Sequence, residues 1–117
     1  MLIWIMAVFV SNIVIEQGFD FDTTFELEST TTNEPLNLTG YNVDSQIRKT
    51  YSSVSSVSFA STISDPGNGK IKISLGSTTT SSLKSGRYVY DVKLTDTTGS
   101  IFKAVEGSAL VRSGVTR

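Results

Sequence analysis

Apolar and polar side chains alternate along most of this chain with a period of two. Tyr88, Tyr90, Val92 and Leu94 fall on one side of a segment whose other side is Val89, Asp91, Lys93 and Thr95. Such a period describes a strand with one buried face. Phe19, Phe21, Thr23, Phe25 and Leu27 repeat the pattern against Asp20, Asp22, Thr24 and Glu26, after a turn at Gly18. Tyr41, Val43, Ser45 and Ile47 predict a third strand. Val57, Phe59, Ser61 and Ile63 predict a fourth, and Ile71, Ile73 and Leu75 a fifth. Val8, Val10, Ile13 and Ile15 predict an opening strand whose register changes at Ser11-Asn12. The last strand runs from about Ile101 to Val111, with Gly107 as a bulge or a point of close approach. Asp65-Pro66-Gly67-Asn68-Gly69 reads as a reverse turn and Asp96 to Ser100 as a hairpin loop. Thr78 to Ser85 is a polar connection with room for one helical turn. No helical period of useful length occurs. About seven short strands spaced by turn signals predict an all-β sandwich.

The approach to the Tyr88 strand sharpens that prediction. Leu83-x-x-Gly86-x-Tyr88 resembles the tyrosine corner of immunoglobulin-like β-sandwiches, in which the tyrosine hydroxyl bonds back to the preceding connection. Tyr88 is then structural, with Leu83 and Gly86 shaping the corner. Tyr90 stands where true immunoglobulin domains carry a disulfide cysteine. The chain has no cysteine, so the expected sandwich has no disulfide and Tyr90 fills the space by bulk. The predicted core is Tyr90, Val92, Leu94, Phe21, Phe25, Ile47, Phe59 and Ile73.

Composition narrows the chemistry more than the fold. The 117 residues suit one domain, 38% of them are apolar, and the formal net charge is −1. Lys and Arg are scattered singly, unlike the basic footprint of a nucleic-acid binder. Without cysteine there is no thiolate metal site or cysteine nucleophile. Without histidine the usual general base and the commonest transition-metal ligand are missing. The expectation is a protein without catalytic residues, cofactor or metal. Asp20, Asp22 and Glu26 lie in a row along one strand, which suits a solvated face better than converging calcium ligands. Asp65 to Asn68 reads as a plain turn. Asn37-Leu38-Thr39 fits a glycosylation acceptor. Tyr41, Tyr51, Tyr88 and Tyr90 could stack on a sugar or base, but two of them read as core. Arg87, Lys93, Arg112 and Arg117 suit interface or solvated charges.

The N-terminal run from Met1 to Val10 is apolar throughout. It lacks the basic leading region and cleavage site of a signal peptide, and it is shorter than the roughly 20 residues a membrane span needs. The favoured reading takes Met6 as the natural start and Met1 to Ile5 as an upstream extension. An apolar tail packing on a neighbouring subunit is the alternative. Residues 1–7 are thus read as a leader, 8–112 as the sandwich and 113–117 as a C-terminal tail.

An ordered set of short motifs points to a family. It comprises Asn37-Leu38-Thr39-Gly40-Tyr41, Ile47-Arg48-Lys49, Gly69-Lys70-Ile71, Leu83-x-x-Gly86-Arg87-Tyr88-Val89-Tyr90-Asp91, Glu106-Gly107 and the ending Val115-Thr116-Arg117. Together these resemble small virion structural proteins of tailed phages, especially cyanobacterial phages. They are also similar to the immunoglobulin-like N-terminal domain of phage baseplate upper proteins. The resemblance implies a non-enzymatic protein present in many copies, assembled in the bacterial host cytoplasm and located in the virion. Its implied partners are other phage virion proteins, with no nucleic acid, membrane or small-molecule substrate. A tail, baseplate or fibre-attachment position is expected, with a capsid decoration or cement role as the alternative. Val115, Thr116 and Arg117 are the expected assembly residues. A carbohydrate-binding β-sandwich module is the alternative from another functional class.

Overall fold

The computed structural model describes residues 9–28 and 34–115. They form nine strand segments: β1 (Phe9–Val10), β2 (Ile13–Glu16), β3 (Phe21–Glu26), β4 (Asn42–Arg48), β5 (Val57–Ser58), β6 (Ala60–Asp65), β7 (Lys70–Leu75), β8 (Gly86–Thr95) and β9 (Ile101–Arg112). One short helix, α1 (Ser77–Ser82), lies between β7 and β8. The large sheet runs β1-β9-β8-β4-β5, with β2 also on β9; the small sheet runs β3-β7-β6. Two antiparallel-dominated sheets partitioned in this way make an immunoglobulin-like β-sandwich without a disulfide.

Alternation is what places the core between the sheets. Phe25, Ile71, Ile73 and Leu75 come from the small sheet, and Ile47, Tyr90, Val92, Leu94, Val105, Ala109 and Val111 from the large one. The predicted core residues are all buried except Phe21, which is half-buried and packs against the same cluster. The β8–β9 ladder skips between Val92 and Lys93, so Ala104 is an extra residue and Ala104 and Val105 both turn inward.

Three expectations change. The Val57–Ile63 strand is two segments: β5 pairs with β4 in the large sheet, whereas β6 pairs with β7 in the small one. Phe59 sits at the switch and its ring meets both Phe21 (6.2 Å) and Tyr90 (6.1 Å). Beside it the Ser45 and Ser61 hydroxyls, 2.5 Å apart, join the sheets. Phe19 is outside the strand, 44% exposed, because the turn from Glu16 to Phe19 uses it. The polar connection does contain a helix, and it is strapped down. The buried Thr80 hydroxyl accepts from the Gly18 amide and donates to the Phe19 carbonyl, and Asp20 accepts from the Ser77 amide.

The third change concerns the opening strand. Phe9 faces Val105 and Ile13 faces Ala109 in parallel pairing, the same offset, so the register does not change at Ser11-Asn12. What interrupts the ladder is a rearrangement over Gly107. A parallel ladder would send the Ser108 amide to the Ser11 carbonyl. Instead that carbonyl accepts from the Tyr90 hydroxyl (2.5 Å), and Asn12 Oδ1 takes the Ser108 amide (3.1 Å). A Cβ on Gly107 would lie 2.0 Å from the Ser11 oxygen, so only glycine admits this approach. With the offset unbroken, Val10 points outward, 67% exposed, and not into the core as the pattern implied. Val8 and the Met1–Ile5 leader lie outside the described residues.

Candidate interaction surface

Inward alternation on β1, β2, β4, β8 and β9 necessarily lines up their remaining side chains on the outer face of the large sheet. Pairing register sets the rows: Val14, Leu110 and Arg87; Val10, Glu106, Asp91 and Gln46; then Lys93 beside Asp44. At the outermost edge Val10 and Val14 are 67% and 47% exposed, and the adjoining Leu110 and Val89 are half-buried. The outer backbone edge of β1 and β2 has no strand partner among the described residues. Glu16, paired with Arg112, is the one charge on these two segments. An edge so lightly protected is suited to contact.

Toward the sheet centre the face becomes charged. Asp91 and Glu106 stand directly opposite each other, an unfavourable like-charge pair. Lys103 bridges them, 3.9 Å from Asp91 and 3.2 Å from Glu106. The Glu106 hydrogen bond, more than any other influence, holds the Lys103 ammonium above its ordinary pKa. Beyond it the turn after β4 carries Tyr51, 69% exposed, over an open cleft of about 280 Å³.

The tyrosine-corner residues come together at one pole. The Tyr88 hydroxyl donates to the Lys84 carbonyl at 2.8 Å, Leu83 is buried, and Gly86 opens β8. Lys49 Nζ lies 4.8 Å from the centre of the Tyr88 ring. Tyr90 uses its hydroxyl on Ser11, as described, and burial pushes its pKa up. Sequence reading gave Tyr90 bulk alone; its hydrogen bond spans from β8 to the opening strand and has no local signal.

The other candidates are dispersed. Asp20, Asp22 and Glu26 are exposed along one edge, with Asp20 capping α1 and Glu26 near Lys70 (3.8 Å). Asn37 Oδ1 accepts from the Thr39 amide and hydroxyl, and Leu38 between them is fully buried. Arg87 and Lys93 are exposed on the outer face, and Arg112 is in its pair with Glu16. Val115 is 97% exposed just after Gly114, which is buried against Phe19. Thr116 and Arg117 lie outside the described residues. Among the described residues no group of three or more His, Cys, Asp or Glu is placed to hold a metal ion, and no helix is long and apolar enough to cross a membrane. The apolar edge and the Tyr51 cleft were missed in sequence because each depends on which strands pair.

No family model and no curated protein matches the chain. Among solved structures it is similar to an internalin-like protein of Listeria monocytogenes, with 14% identity, a TM-score of 0.44, and coverage of 92% of this chain and 28% of that one. It is similar to a family 123 glycoside hydrolase from Clostridium perfringens, with 12% identity, a TM-score of 0.45, and coverage of 92% and 23%. It is also similar to murine CRIg, with 13% identity, a TM-score of 0.39, and coverage of 88% and 92%. The chain thus spans under a third of the length of the first two. At these scores the likenesses say nothing about function.

Proposed function

We propose that this chain is a structural protein of a tailed-phage particle. It acts by protein–protein contact, at a tail, baseplate or fibre-attachment position, and carries no catalysis of its own. The motif resemblance motivates the setting, and one observation supports the mode of action. The large sheet ends in an edge, β1 and β2, that has no outer strand partner among the described residues, and its outward side chains, Val10 and Val14, are apolar and exposed. A neighbouring subunit that covers this edge gains backbone hydrogen bonds and removes apolar surface from water at once. Val115, exposed where the chain leaves the fold, adds a second contact.

Mass spectrometry and cryo-EM of purified particles test the proposal. The chain should be present in many copies with β1 and β2 at an interface. Val10→Lys together with Val14→Lys should block incorporation while leaving the isolated domain folded. Absence of the chain from assembled particles would end the proposal, and density on the head would move it to a decoration role.

A further inference from the structure

We infer that the outer face of the large sheet carries a binding site for a neutral glycan, roofed by Tyr51 and floored by side chains of β4 and β8. The inference stands apart from the phage setting and from the apolar edge.

The cleft is lined by Asp44, Gln46, Arg48, Tyr51, Asp91 and Lys93, among others. Its volume of about 280 Å³ lies just under the usual range for small-ligand pockets, enough for a short stretch of sugar. Its roof is fixed in place. Thr50 and Ser53 close a turn through the Ser53 amide to the Thr50 carbonyl (3.1 Å) and the Thr50 amide to Ser53 Oγ (3.0 Å). Arg48 then clamps the turn by donating to the Ser53 carbonyl (2.5 Å), and donates to Gln46 Oε1 (2.9 Å). Tyr51 is the second residue of that turn, so a rigid loop holds out a mostly exposed ring.

The floor has polar capacity with no internal use. Asp44 and Lys93 are cross-strand partners, yet among the described residues they form no ion pair, and neither makes a side-chain hydrogen bond. Gln46 Oε1 is taken by Arg48, which leaves its amide nitrogen as a donor. Carboxylate, amide and ammonium groups that line one cleft with an aromatic ring can meet alternating hydroxyl donors and acceptors, while the ring offers a surface for an apolar sugar face. Charge decides the class. Asp44 and Asp91 balance Arg48 and Lys93, so the cleft gives no net attraction to an acidic or a basic ligand.

The test uses the isolated protein on an array of neutral oligosaccharides (glucose, mannose, galactose and N-acetylglucosamine oligomers) with sialylated and uronic-acid glycans alongside. Titration calorimetry follows on the best neutral hexasaccharide. The expected result is saturable binding of at least one neutral glycan. Tyr51→Ala and Asp44→Ala should each weaken it tenfold or more, and Lys72→Ala on the opposite sheet should not change it. Both target side chains are exposed, and circular dichroism checks that the variants fold. Binding that survives both substitutions, binding confined to acidic glycans, or no neutral glycan bound at all would each overturn the inference. None of these outcomes bears on whether the chain is found in particles.

Discussion

Both sheets present the same kind of inner face, Ile and Phe on one side and Val, Ile and Tyr on the other, but their outer faces differ. Outward positions on β3 and β7 are Asp22, Thr24, Glu26, Lys72 and Ser74, small or charged, with Glu26 and Lys70 close enough to pair. The β3–β7 ladder is in unbroken register over six residues. The large sheet has an extra residue at Ala104, a displaced ladder bond at Ser11-Asn12, like charges held together by Lys103, and exposed valines at its edge. The small sheet has its own irregularity, a register shift between Ile63 and Asp65 in the β6–β7 ladder, but among the described residues it leaves no large apolar side chain exposed on that face.

This contrast makes the interior the place where both sheets should respond alike. Ile73 on β7 is fully buried between them. Ile73→Ala is expected to cost about 3–4 kcal/mol, the usual range for a buried large-to-small change. Urea denaturation should show it, with hydrogen-exchange protection lost evenly in both sheets. Loss confined to β3, β6 and β7 would mean that the sheets do not unfold as one unit.

The next effect belongs to the large sheet alone. Gly107→Val would drive a side chain into the Ser11 carbonyl and is expected to cost about 2–3 kcal/mol, within the overpacking range. Because the clash is with the opening strand, amides of Ile13–Glu16 should lose protection well before those of β7. An even loss across the molecule would contradict that local reading.

The same strand shows what the sequence could and could not convey. Tyr88 to Leu94 was legible because period two over seven residues leaves one arrangement that buries a face. Gly107 was legible because a lone glycine in a strand asks for a reason. The burial of Phe59 was legible but the change of sheet at it was not: alternation from Val57 to Ile63 keeps its phase while the chain passes from one sheet to the other, and a period carries no information about the pairing partner. Val10 was misjudged for a related reason. Ser11-Asn12 looks like a break in phase, whereas a side-chain acceptor from Asn12 preserves the register through it. As for the surface, Tyr51 could be named as an aromatic, but a period carries no sign that it lines one cleft with Asp44 and Lys93.

Two tyrosines on one strand offer a finer comparison. Tyr90→Phe leaves the Ser11 carbonyl without its partner in a half-buried place and should cost about 1–2 kcal/mol. Tyr88→Phe frees the Lys84 carbonyl to water, and should cost about 1 kcal/mol or less. Thermal melts of the two variants side by side settle the order. Equal losses would mean that the Tyr90 bond is no more than a surface bond in effect. The folded-state pKa of Tyr90 is raised, so its contribution is complete below the unfolded value near 10 and fades as pH climbs through the folded value.

The smallest expected effect is in the hairpins. The turn joining β6 and β7 uses Asp65 to accept one side-chain bond from Asn68 (2.9 Å). The β8–β9 turn is built differently. Asp96 Oδ1 accepts from the Thr98 amide (2.9 Å), the Thr98 hydroxyl (2.7 Å) and the Ser100 amide (2.9 Å). The Thr98 hydroxyl foremost, then the backbone amides, stabilise the ionised carboxylate and lower its pKa. A depressed folded-state value means that Asp96 contributes stability above the unfolded value of about 3.9, and that this is lost as pH falls through the folded value. Asp96→Asn keeps a carbonyl oxygen for all three donors and removes the titration. Its melting temperature should therefore stay close to that of the parent at pH 7 and fall less steeply with acid below pH 4. Parallel curves for the two proteins from pH 7 down to pH 2 would show that the carboxylate charge has no part in holding this turn.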